Sequence, residues 1–412
     1  MSWTICTLND ICDKVNGHIQ TGPFGSQLHQ SDYSKTGTPV VMPKDIVNGT
    51  ISEENIARIS DEHVLRLSRH QVKTGDILFS RRGDVGRCAY VSKKEQGWLC
   101  GTGCLRVTVD TEIADSKFIF YYLQQPSSVG WIEKHAIGAT MLNLNTGILA
   151  NVPIMLPSLP AQHRIASILS AYDDLIENNQ KQIKLLEEAA QRLYKEWFVD
   201  LRFPGWENTK IVDGVPEGWE KTTISSVSSV LRRGISPKYN DNAAFTVINQ
   251  KCIRQTIVDF SESRKQEKTF SSEMALIDGD TVICSTGAGT LGRVGQIFGS
   301  PTNATFDSHV TLVRTNGRIG AQLLFQSLKD QQTYLQDSGK GSTNQLELGR
   351  TIIAECPVFI PSEPVSKHFE VLVQPIHDLI SKISQLVLLL QNSKDMMLSK
   401  LMNENTEEHH AS

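Results

Sequence analysis

The side chains best suited to chemistry with another molecule lie in two related glycine-rich loops. The first loop, FSRRGDVGR, carries Arg81, Arg82 and Arg87 directly after an apolar run. Arginine can bind guanine or phosphate through two parallel hydrogen bonds, which makes it the commonest specific contact to DNA. The second loop, STGAGTLGR, retains Arg293 but has serine and threonine where the other arginines stand. The pattern predicts DNA contacts in both loops, with the stronger ones in the first.

Further basic and amide side chains complete the predicted DNA contacts. Asparagine and glutamine can read adenine with paired hydrogen bonds, and lysine binds phosphate. These candidates are Lys44, Thr140, Arg232, Arg233, Lys238, Asn249, Gln250, Lys251, Lys340 and Thr343. Each of them also has an ordinary interpretation, because a surface arginine is more often solvated than in contact with a base.

Patterns typical of catalysis, metal binding or nucleotide binding are missing. GAGTLG at 287–292 fits G-x-G-x-x-G, but the following RVGQIFG has the pattern of a strand. The motif therefore has no helix N-terminus that could bind a pyrophosphate. SGKGST at 338–343 lacks the first glycine of a phosphate-binding loop. The eight cysteines form no C-x-x-C pair and are expected to be buried and reduced. We therefore expect no catalytic site, no metal and no cofactor bound by this chain.

Length and charge narrow the class of protein. The chain has 412 residues, which favours more than one domain, and a net charge of −4, which argues against a generic polybasic nucleic-acid binder. No apolar stretch is long enough to span a membrane, and the N-terminus lacks the features of a signal peptide. A cytoplasmic location is expected.

The chain repeats itself once. Gly75-Asp76 matches Gly279-Asp280 at an offset of 204 residues, and PIMLP at 153–157 matches PVFIP at 357–361 at the same offset. Each copy begins with short apolar runs separated by Gly, Asn and Asp, which indicate strands and turns with a few helices. Two similar mixed α/β domains are therefore predicted.

A long helix follows each of these domains. Both helices carry a heptad stripe of mostly apolar residues, interrupted in the first helix by Asn179. The stripe consists of Ile165, Leu169, Ile176, Asn179, Ile183, Leu186, Leu193 and Trp197, followed in the second copy by Phe369, Val373, Ile376, Ile380, Ile383, Val387, Leu390 and Leu401. A narrow apolar stripe cannot be buried by one helix alone. We expect the two helices to pair, preferably antiparallel, with Asn179 fixing their register or lying in a solvated section.

These patterns define five segments. We predict a first α/β domain at 1–157, a helix at 158–200, a second α/β domain at 201–361, a second helix at 362–403 and a disordered tail at 404–412. His163, His368 and His377 lie on or near the helices and are expected at the surface.

Two similar domains at a fixed separation suit a ligand with two similar sites, such as DNA. Because the two domains differ in sequence, their half-sites should differ, so the target should be bipartite and asymmetric. A coiled-coil scaffold that binds only proteins is an alternative interpretation.

Longer segments resemble one protein family. LPSLPAQHRIASILSAYDDLIENNQKQIKLLEEAAQRLYKEWFVDLRFPGWE, at 156–207, resembles the central helical region of type I restriction–modification specificity subunits. TGPFGSQLHQSDYSKTGTPVVMPKDI, at 21–46, resembles the start of their target-recognition domains, and GVPEGWE, at 214–220, resembles the lead-in to the second such domain.

This resemblance implies a fold and a set of partners. The fold has two α/β target-recognition domains separated by two long antiparallel coiled-coil helices in a pseudo-twofold arrangement. Two modification (methyltransferase) subunits carrying S-adenosylmethionine dock on these helices, and restriction subunits supply ATP- and Mg-dependent translocation and cleavage. The specificity subunit itself is non-catalytic. A fused methyltransferase–specificity protein would need an N-P-P-[FY] or D-P-P-[FY] motif, and the sequence contains neither.

Overall fold

A computed structural model describes residues 3–12, 19–138, 141–254, 256–287, 289–299, 301–341 and 346–403. The predicted tail at 404–412 lies outside these residues. The chain divides into two compact units: the first within Met1–Ile176 and Leu389–Ser412, the second Glu177–Leu388. Among the described helices, none is long and apolar enough to cross a membrane.

The first unit is built on two four-stranded sheets and two small ribbons. Its strands are β1 (Thr4–Thr7), β2 (Ile19–Thr21), β3 (Tyr33–Ser34), β4 (Thr38–Val41), β5 (Ile46–Val47), β6 (Thr50–Ile51), β7 (Ala57–Ile59), β8 (Ile77–Ser80), β9 (Cys88–Tyr90), β10 (Leu99–Cys100), β11 (Cys104–Val107) and β12 (Pro153–Leu156). The sheets have the orders β2-β11-β8-β9 and β10-β4-β7-β3, and the ribbons are β1-β12 and β5-β6. All four residues of β8 are buried, which explains why its sequence is continuously apolar rather than alternating.

Four short helices cover these sheets: α1 (Asp61–Arg66), α2 (Ser116–Leu123), α3 (Pro126–His135) and α4 (Thr146–Ala150). Local sequence sets where they begin. The Asp115 carboxylate accepts a hydrogen bond from the amide of Phe118, and the Asn145 side chain accepts one from the amide of Ile148. Pro126 starts α3, where a missing N–H has no cost.

The second unit repeats this topology. Its strands are β13 (Ile211–Val212), β14 (Val215–Pro216), β15 (Glu220–Thr223), β16 (Ser228–Arg233), β17 (Phe245–Ile248), β18 (Arg264–Gln266), β19 (Thr281–Cys284), β20 (Val294–Gln296), β21 (Ala304–Phe306), β22 (Val310–Thr315) and β23 (Pro357–Ile360). The order β16-β22-β19-β20 corresponds to β2-β11-β8-β9, and β18-β17-β21 corresponds to β7-β4-β10. Ribbon β15-β23 corresponds to β1-β12. The two units therefore share one sheet plan, as the sequence repeat predicts.

The glycines that open the repeated motif have the same backbone geometry in both units. Gly75 precedes β8 with φ of +95°, and Gly279 precedes β19 with φ of +81°. Residues with a Cβ rarely adopt such angles, so glycine is required at this turn. The helices of the second unit are α6 (Ala321–Asp330), α7 (Gln332–Asp337) and α8 (Arg350–Glu355).

Two long helices each contribute to both units. Helix α5 is Leu159–Tyr194 and continues into a π-helical turn at Lys195–Val199, and helix α9 is Glu363–Asn403. Residues of α5 up to Ile176 belong to the first unit and later ones to the second, whereas α9 enters the first unit only from Leu389 onward. Pro375 lies inside α9 and cannot donate the helical hydrogen bond to the carbonyl of Val371.

The predicted stripe on these helices is turned away from solvent. Its buried members are Ile165, Leu169, Asn179, Ile183, Trp197, Phe369, Val373, Ile380, Ile383 and Val387. Its half-buried members are Ile176, Leu186, Leu193, Ile376, Leu390 and Leu401. Towards the end of α9, the buried residues are Leu398 and Met402. Each lies one residue after a position of the heptad pattern, 397 and 401 respectively, and those two positions are half-buried. A straight helix has 3.6 residues per turn, so a strict heptad pattern drifts around its surface.

Each unit has a core to which both long helices contribute. In the first unit, Ile165 and Leu169 of α5 and Leu398 of α9 join the same apolar cluster as Phe118 of α2. In the second unit, residues from the other parts of the two helices share a cluster with the β-sheet and α6; they include Tyr194, Trp197, Phe369 and Val373. The first unit thus combines two separate segments of the chain, whereas the second is the continuous segment Glu177–Leu388.

The expectation that His377 lies at the surface is wrong. His377 is fully buried, its Nε2 lies 3.0 Å from the Gln326 side-chain nitrogen, and its ring stacks on Phe298 at 5.7 Å. These neighbours are distant in sequence, so the helix pattern alone could not reveal them. His163 and His368 are exposed as expected.

Candidate nucleic-acid interface

In the first unit, the arginine-rich loop is joined to a hairpin by backbone hydrogen bonds. After β8, the amide of Arg81 donates to the carbonyl of Gly103 (2.8 Å), and its carbonyl accepts from the amide of Leu144 (2.8 Å). Ile137 and Asn143 exchange two backbone hydrogen bonds and close the hairpin. These contacts bring the predicted arginines beside this hairpin. Thr140 itself is outside the described residues.

The three arginines of this loop have different surroundings. Arg81 is half-buried with its guanidinium 5.4 Å from the centre of the Phe24 ring, and Arg87 lies 3.4 Å from Asp84 Oδ2. Arg82 is exposed, and within the described residues it makes no ion pair. The side chain of Phe24 is itself 51% exposed. The loop therefore presents a solvated arginine and an arginine lying near an exposed aromatic ring.

A close backbone approach holds the neighbouring GPFG loop in place. A Cβ atom added to Gly22, just after β2, would lie 2.0 Å from the carbonyl oxygen of Gly101. Gly234, just after β16 in the second unit, would bring a Cβ to 2.1 Å from the carbonyl oxygen of Phe306. The GPFG motif is missing from the second unit, yet the glycine that permits this approach is present.

The second unit has the same loop-and-hairpin arrangement. The amide of Leu348 donates to the carbonyl of Ser285 (2.8 Å), and Lys340 and Glu347 exchange two backbone hydrogen bonds. Arg233 reaches this hairpin, donating to the Leu348 carbonyl (2.7 Å) and forming an ion pair with Glu347 (2.6 Å). The structure thus brings Arg233 and Lys340 together. Thr343 lies outside the described residues.

Three of the six predicted cations of the second unit are already paired with carboxylates. Arg232 lies 3.4 Å from Glu273, and Lys238 forms an ion pair with Glu267. Arg293 is half-buried at the end of the loop, where its carbonyl accepts a hydrogen bond from the amide of Cys284. These pairs lie at the surface, so each contributes little stability and can exchange for a phosphate.

The remaining candidates follow strands β4 and β17. Lys44 is held by Asp45 (2.6 Å). The Asn249 side chain is largely buried and accepts a hydrogen bond from the amide of Lys251 (2.8 Å), which makes it the cap of a 3₁₀ turn. Sequence reasoning treated Asn249 as an adenine reader because its side-chain type fits, and the capping role depends on a turn that the sequence did not indicate.

Gln250 and Lys251 lie in that same turn, next to the loop that follows β19. Cys284, the last residue of β19, has its thiol 3.9 Å from the carbonyl of Gln250. Gln250 is half-buried, whereas Lys251 is exposed. Lys251 is therefore the member of the turn that is free to meet a ligand.

A cationic surface in the second unit was missed by sequence reasoning. The guanidinium of Arg264 lies 3.5 Å from the centre of the Tyr239 ring, and Lys265 and Lys268 follow in the same segment. The sequence signal was present as the basic run SRKQEK at 263–268. Only the fold shows that Tyr239 lies beside it.

The described residues include no group of three His, Cys, Asp or Glu that could hold a metal ion. All eight cysteines are free, and all except the half-buried Cys6 are buried. Burial raises the pKa of Cys88 and of Cys284 to about 12, so these thiols stay protonated and unreactive at neutral pH. The chemistry available at the candidate interface is therefore hydrogen bonding, charge attraction and aromatic stacking.

Comparison with known proteins agrees with this geometry. Residues 2–188 match the family described as type I restriction modification DNA specificity domain. The chain is 24% identical over 417 residues to the type I restriction enzyme MjaIX specificity subunit of Methanocaldococcus jannaschii, covering 97% of this chain and 92% of that protein. It is 21% identical to the HindI specificity subunit of Haemophilus influenzae, covering 87% and 92% of the two chains.

A solved structure shares the fold. The type I restriction–modification S subunit from M. genitalium superposes with a TM-score of 0.58 at 17% identity, covering 97% of this chain and 96% of that one. Sequence and fold together make this chain similar to type I DNA specificity proteins. Its similarity to type I restriction–modification specificity subunits extends over almost the whole chain.

Proposed function

We propose that this chain recognises a bipartite, asymmetric DNA target for a type I restriction–modification enzyme. One observation carries the proposal: two units with one sheet plan each join a strand-end loop to a hairpin, at 81–83 with 137–144 and at 285–287 with 340–348. Two similar surfaces with different side chains would bind two different half-sites. The first presents Arg81 and Arg82, whereas the second presents Arg233 and Lys340.

The two long helices would act as the spacer between the half-sites. Inside the first unit, Lys394 of α9 donates a hydrogen bond to Asp173 of α5 (2.5 Å). Inside the second unit, Tyr194 and Trp197 of α5 lie against Phe369 and His368 of α9, respectively. Residues near the start of α5 thus contact residues near the end of α9, and residues near the end of α5 contact residues near the start of α9. Within each unit, this order supports antiparallel pairing of the two helices, whose length would set the gap in the target.

The catalytic steps would belong to partner subunits. In the proposed assembly, two modification subunits bind S-adenosylmethionine and methylate the DNA, and restriction subunits use ATP and Mg for translocation and cleavage. This chain would act in the cytoplasm as a non-catalytic subunit that binds DNA and holds the other subunits. The surfaces described above offer charge and hydrogen bonding without a reactive nucleophile, which fits such a role.

Mapping methylated adenines in a host that carries this chain and its modification subunit tests the proposal. We expect one motif made of two different short sequences with a constant gap. A second host carrying the modification subunit alone is the control. Methylation at one uninterrupted sequence, or the same methylation in both hosts, would refute the proposal.

DNA binding in vitro provides an independent test. We expect weak binding of duplex DNA by the chain alone, and salt-sensitive, sequence-specific binding once the modification subunit is added. Replacing Arg81 and Arg82 with alanine should weaken recognition of the first half-site only.

A further inference from the structure

An exposed aromatic–cation stack marks the outermost strand of the second unit. The Arg264 guanidinium lies 3.5 Å from the centre of the Tyr239 ring, which is ordinary stacking contact. Tyr239 forms a β-bridge with Gln266, so the segment 238–240 runs along β18 and fixes the ring beside the arginine. Tyr239 is 41% exposed, and Arg264 is exposed. The stack therefore presents an oriented guanidinium to solvent.

The neighbouring carboxylates are occupied by other cations. Glu262 lies 3.6 Å from Arg254, and Glu267 is paired with Lys238 and accepts a hydrogen bond from Asn240. Within the described residues, Arg264 has no carboxylate within ion-pair distance. Its charge is thus not cancelled locally.

The two lysines that follow are also free of carboxylates. Lys265 donates to the Thr246 hydroxyl (3.0 Å), and Lys268 donates to the carbonyl of Ser236 (3.4 Å). Both acceptors are neutral, so both lysines keep their full charge among the residues that the structure describes. This segment therefore has three cations within five residues. By contrast, Arg232, Arg233 and Lys238, which were predicted from the sequence, are each paired with a carboxylate.

The fold itself does not require an arginine at this position. Arg264 pairs with Val247 of β17, and the corresponding pair in the first unit is Ala57 with Val40 of β4. Val247 and Val40 each precede the following 3₁₀ turn by three residues and are each fully buried. An alanine therefore serves the same sheet position, so the stack has to be explained by something other than folding.

From these observations, we infer that Arg264, oriented by Tyr239 and supported by Lys265 and Lys268, binds a phosphate of the DNA backbone. Stacking occupies the face of the guanidinium, and the N–H groups in its plane can hold a phosphate with two hydrogen bonds. Such a contact positions the second unit on the duplex without reading bases. The inference rests on the proposed DNA-recognition function and assigns to it a surface beyond the loops and hairpins.

Salt-dependent binding of the full-length chain to a labelled duplex of mixed sequence tests the inference. One phosphate contact contributes about 0.9 to the slope of log K against log salt, so Arg264→Gln should lower that slope by about 0.9 and weaken binding roughly eightfold at about 0.1 M salt. Tyr239→Leu, which keeps the charge but removes the stack, should weaken binding by a smaller factor. Arg264→Lys should restore most of the slope.

Arg318→Gln is the matched control. Arg318 is an exposed arginine of the same unit and forms an ion pair with Glu220 (2.7 Å), so this variant makes the same chemical change elsewhere. It should bind DNA with the slope of the unaltered chain, and thermal unfolding should show that all the variants fold. If Arg264→Gln and Arg318→Gln have equal slopes, the inference is wrong while the proposed function stands. If the unaltered chain shows no salt-dependent binding to DNA even with the modification subunit added, the proposed function fails together with the inference.

Discussion

At the scale of single residues, glycines decide where the chain can approach itself. Gly22 and Gly234 follow corresponding strands, and each lies so close to a carbonyl oxygen that no side chain fits. Overfilling such a contact forces the backbone apart, which typically costs about 1–3 kcal/mol. The geometry at Gly22 therefore supports both the stability of the first unit and the position of Phe24 beside Arg81.

We expect Gly22→Ala to lower the free energy of unfolding by about 1–3 kcal/mol, because its Cβ would meet the Gly101 carbonyl. Gly25→Ala is the control, since an added Cβ at Gly25 has no atom within 4 Å. That variant should stay within about 0.5 kcal/mol of the original chain. Urea unfolding of both variants measures the difference, and equal stabilities would contradict the steric argument.

The buried His377 makes stability depend on pH. Burial lowers the pKa of His377 to about 4, and the nearby Asp378 only partly opposes this effect. Folded His377 thus stays neutral down to about pH 4, whereas an unfolded histidine takes up a proton near pH 6.5. The unfolded state binds the extra proton in this interval, so stability falls as the pH is lowered from about 6.5 to about 4.

For His377→Gln, we expect the loss of stability between about pH 7 and about pH 5 to be smaller than in the original chain by about 2 kcal/mol. Glutamine keeps a polar side chain near Gln326 but cannot take up a proton. His163→Gln, which changes an exposed histidine of the other long helix, is the control for a histidine substitution as such. Urea unfolding at the two pH values measures these losses of stability. If both variants lose the same amount, His377 does not control the pH dependence.

At the scale of elements, a polar contact joins the two long helices to α2 in the first unit. The Asp173 carboxylate accepts a hydrogen bond from the Tyr121 hydroxyl (2.6 Å) and one from the Lys394 ammonium (2.5 Å). The Lys394 side chain is 15% exposed, so water screens this pair less than a surface pair. The contact therefore helps to fix the place of α9 in the first unit.

Replacing Lys394 with methionine should lower the free energy of unfolding by about 1–2 kcal/mol, because Asp173 loses a charged donor while packing is preserved. Lys400→Met is suitable as a control, since Lys400 lies on the same helix and is exposed. Thermal unfolding of both variants measures the effect. A loss in Lys400→Met as large as in Lys394→Met would assign the effect to helix charge in general.

The elements themselves were largely predictable. Glycine turns, apolar runs and the repeat predicted β8 and β19 as matching strands, and the heptad stripe predicted two helices that α5 and α9 match closely. What the sequence could not predict was which distant residues meet. His377 was misplaced because Phe298 and Gln326 cover it from elements distant in the chain.

For the candidate interface, the sequence predicted which types of residue lie in which loops, but not their partners. Arg81 and Arg82 were correctly placed in a loop after a buried strand, because local pattern determines that. The ion pair between Arg233 and Glu347 and the stack of Arg264 on Tyr239 join residues far apart in sequence. Partners of this kind follow from tertiary packing, so neither could be derived from spacing.

At the scale of the whole molecule, the repeated sheet plan suits two proposed recognition surfaces that can be exchanged separately. We expect exchange of residues 1–157 for the corresponding domain of a similar specificity subunit to change one half of the methylated motif and leave the other half intact. Sequencing of methylated adenines provides the measurement, and exchange of residues 201–361 is the reciprocal control. A change in both halves from either exchange would mean that the units do not read DNA independently.

Because the last part of α9 belongs to the first unit, the core of that unit is completed late in protein synthesis. Leu398 and Met402 belong to the same apolar cluster as Ile165 and Leu169, although the ribosome makes them more than two hundred residues later. At a translation rate of about 5–20 residues per second, this apolar surface stays uncovered for on the order of 10–40 s until the end of α9 is made. The second unit, Glu177–Leu388, needs no later segment. The domain translated first is therefore completed last, and chaperones have their longest opportunity to bind it.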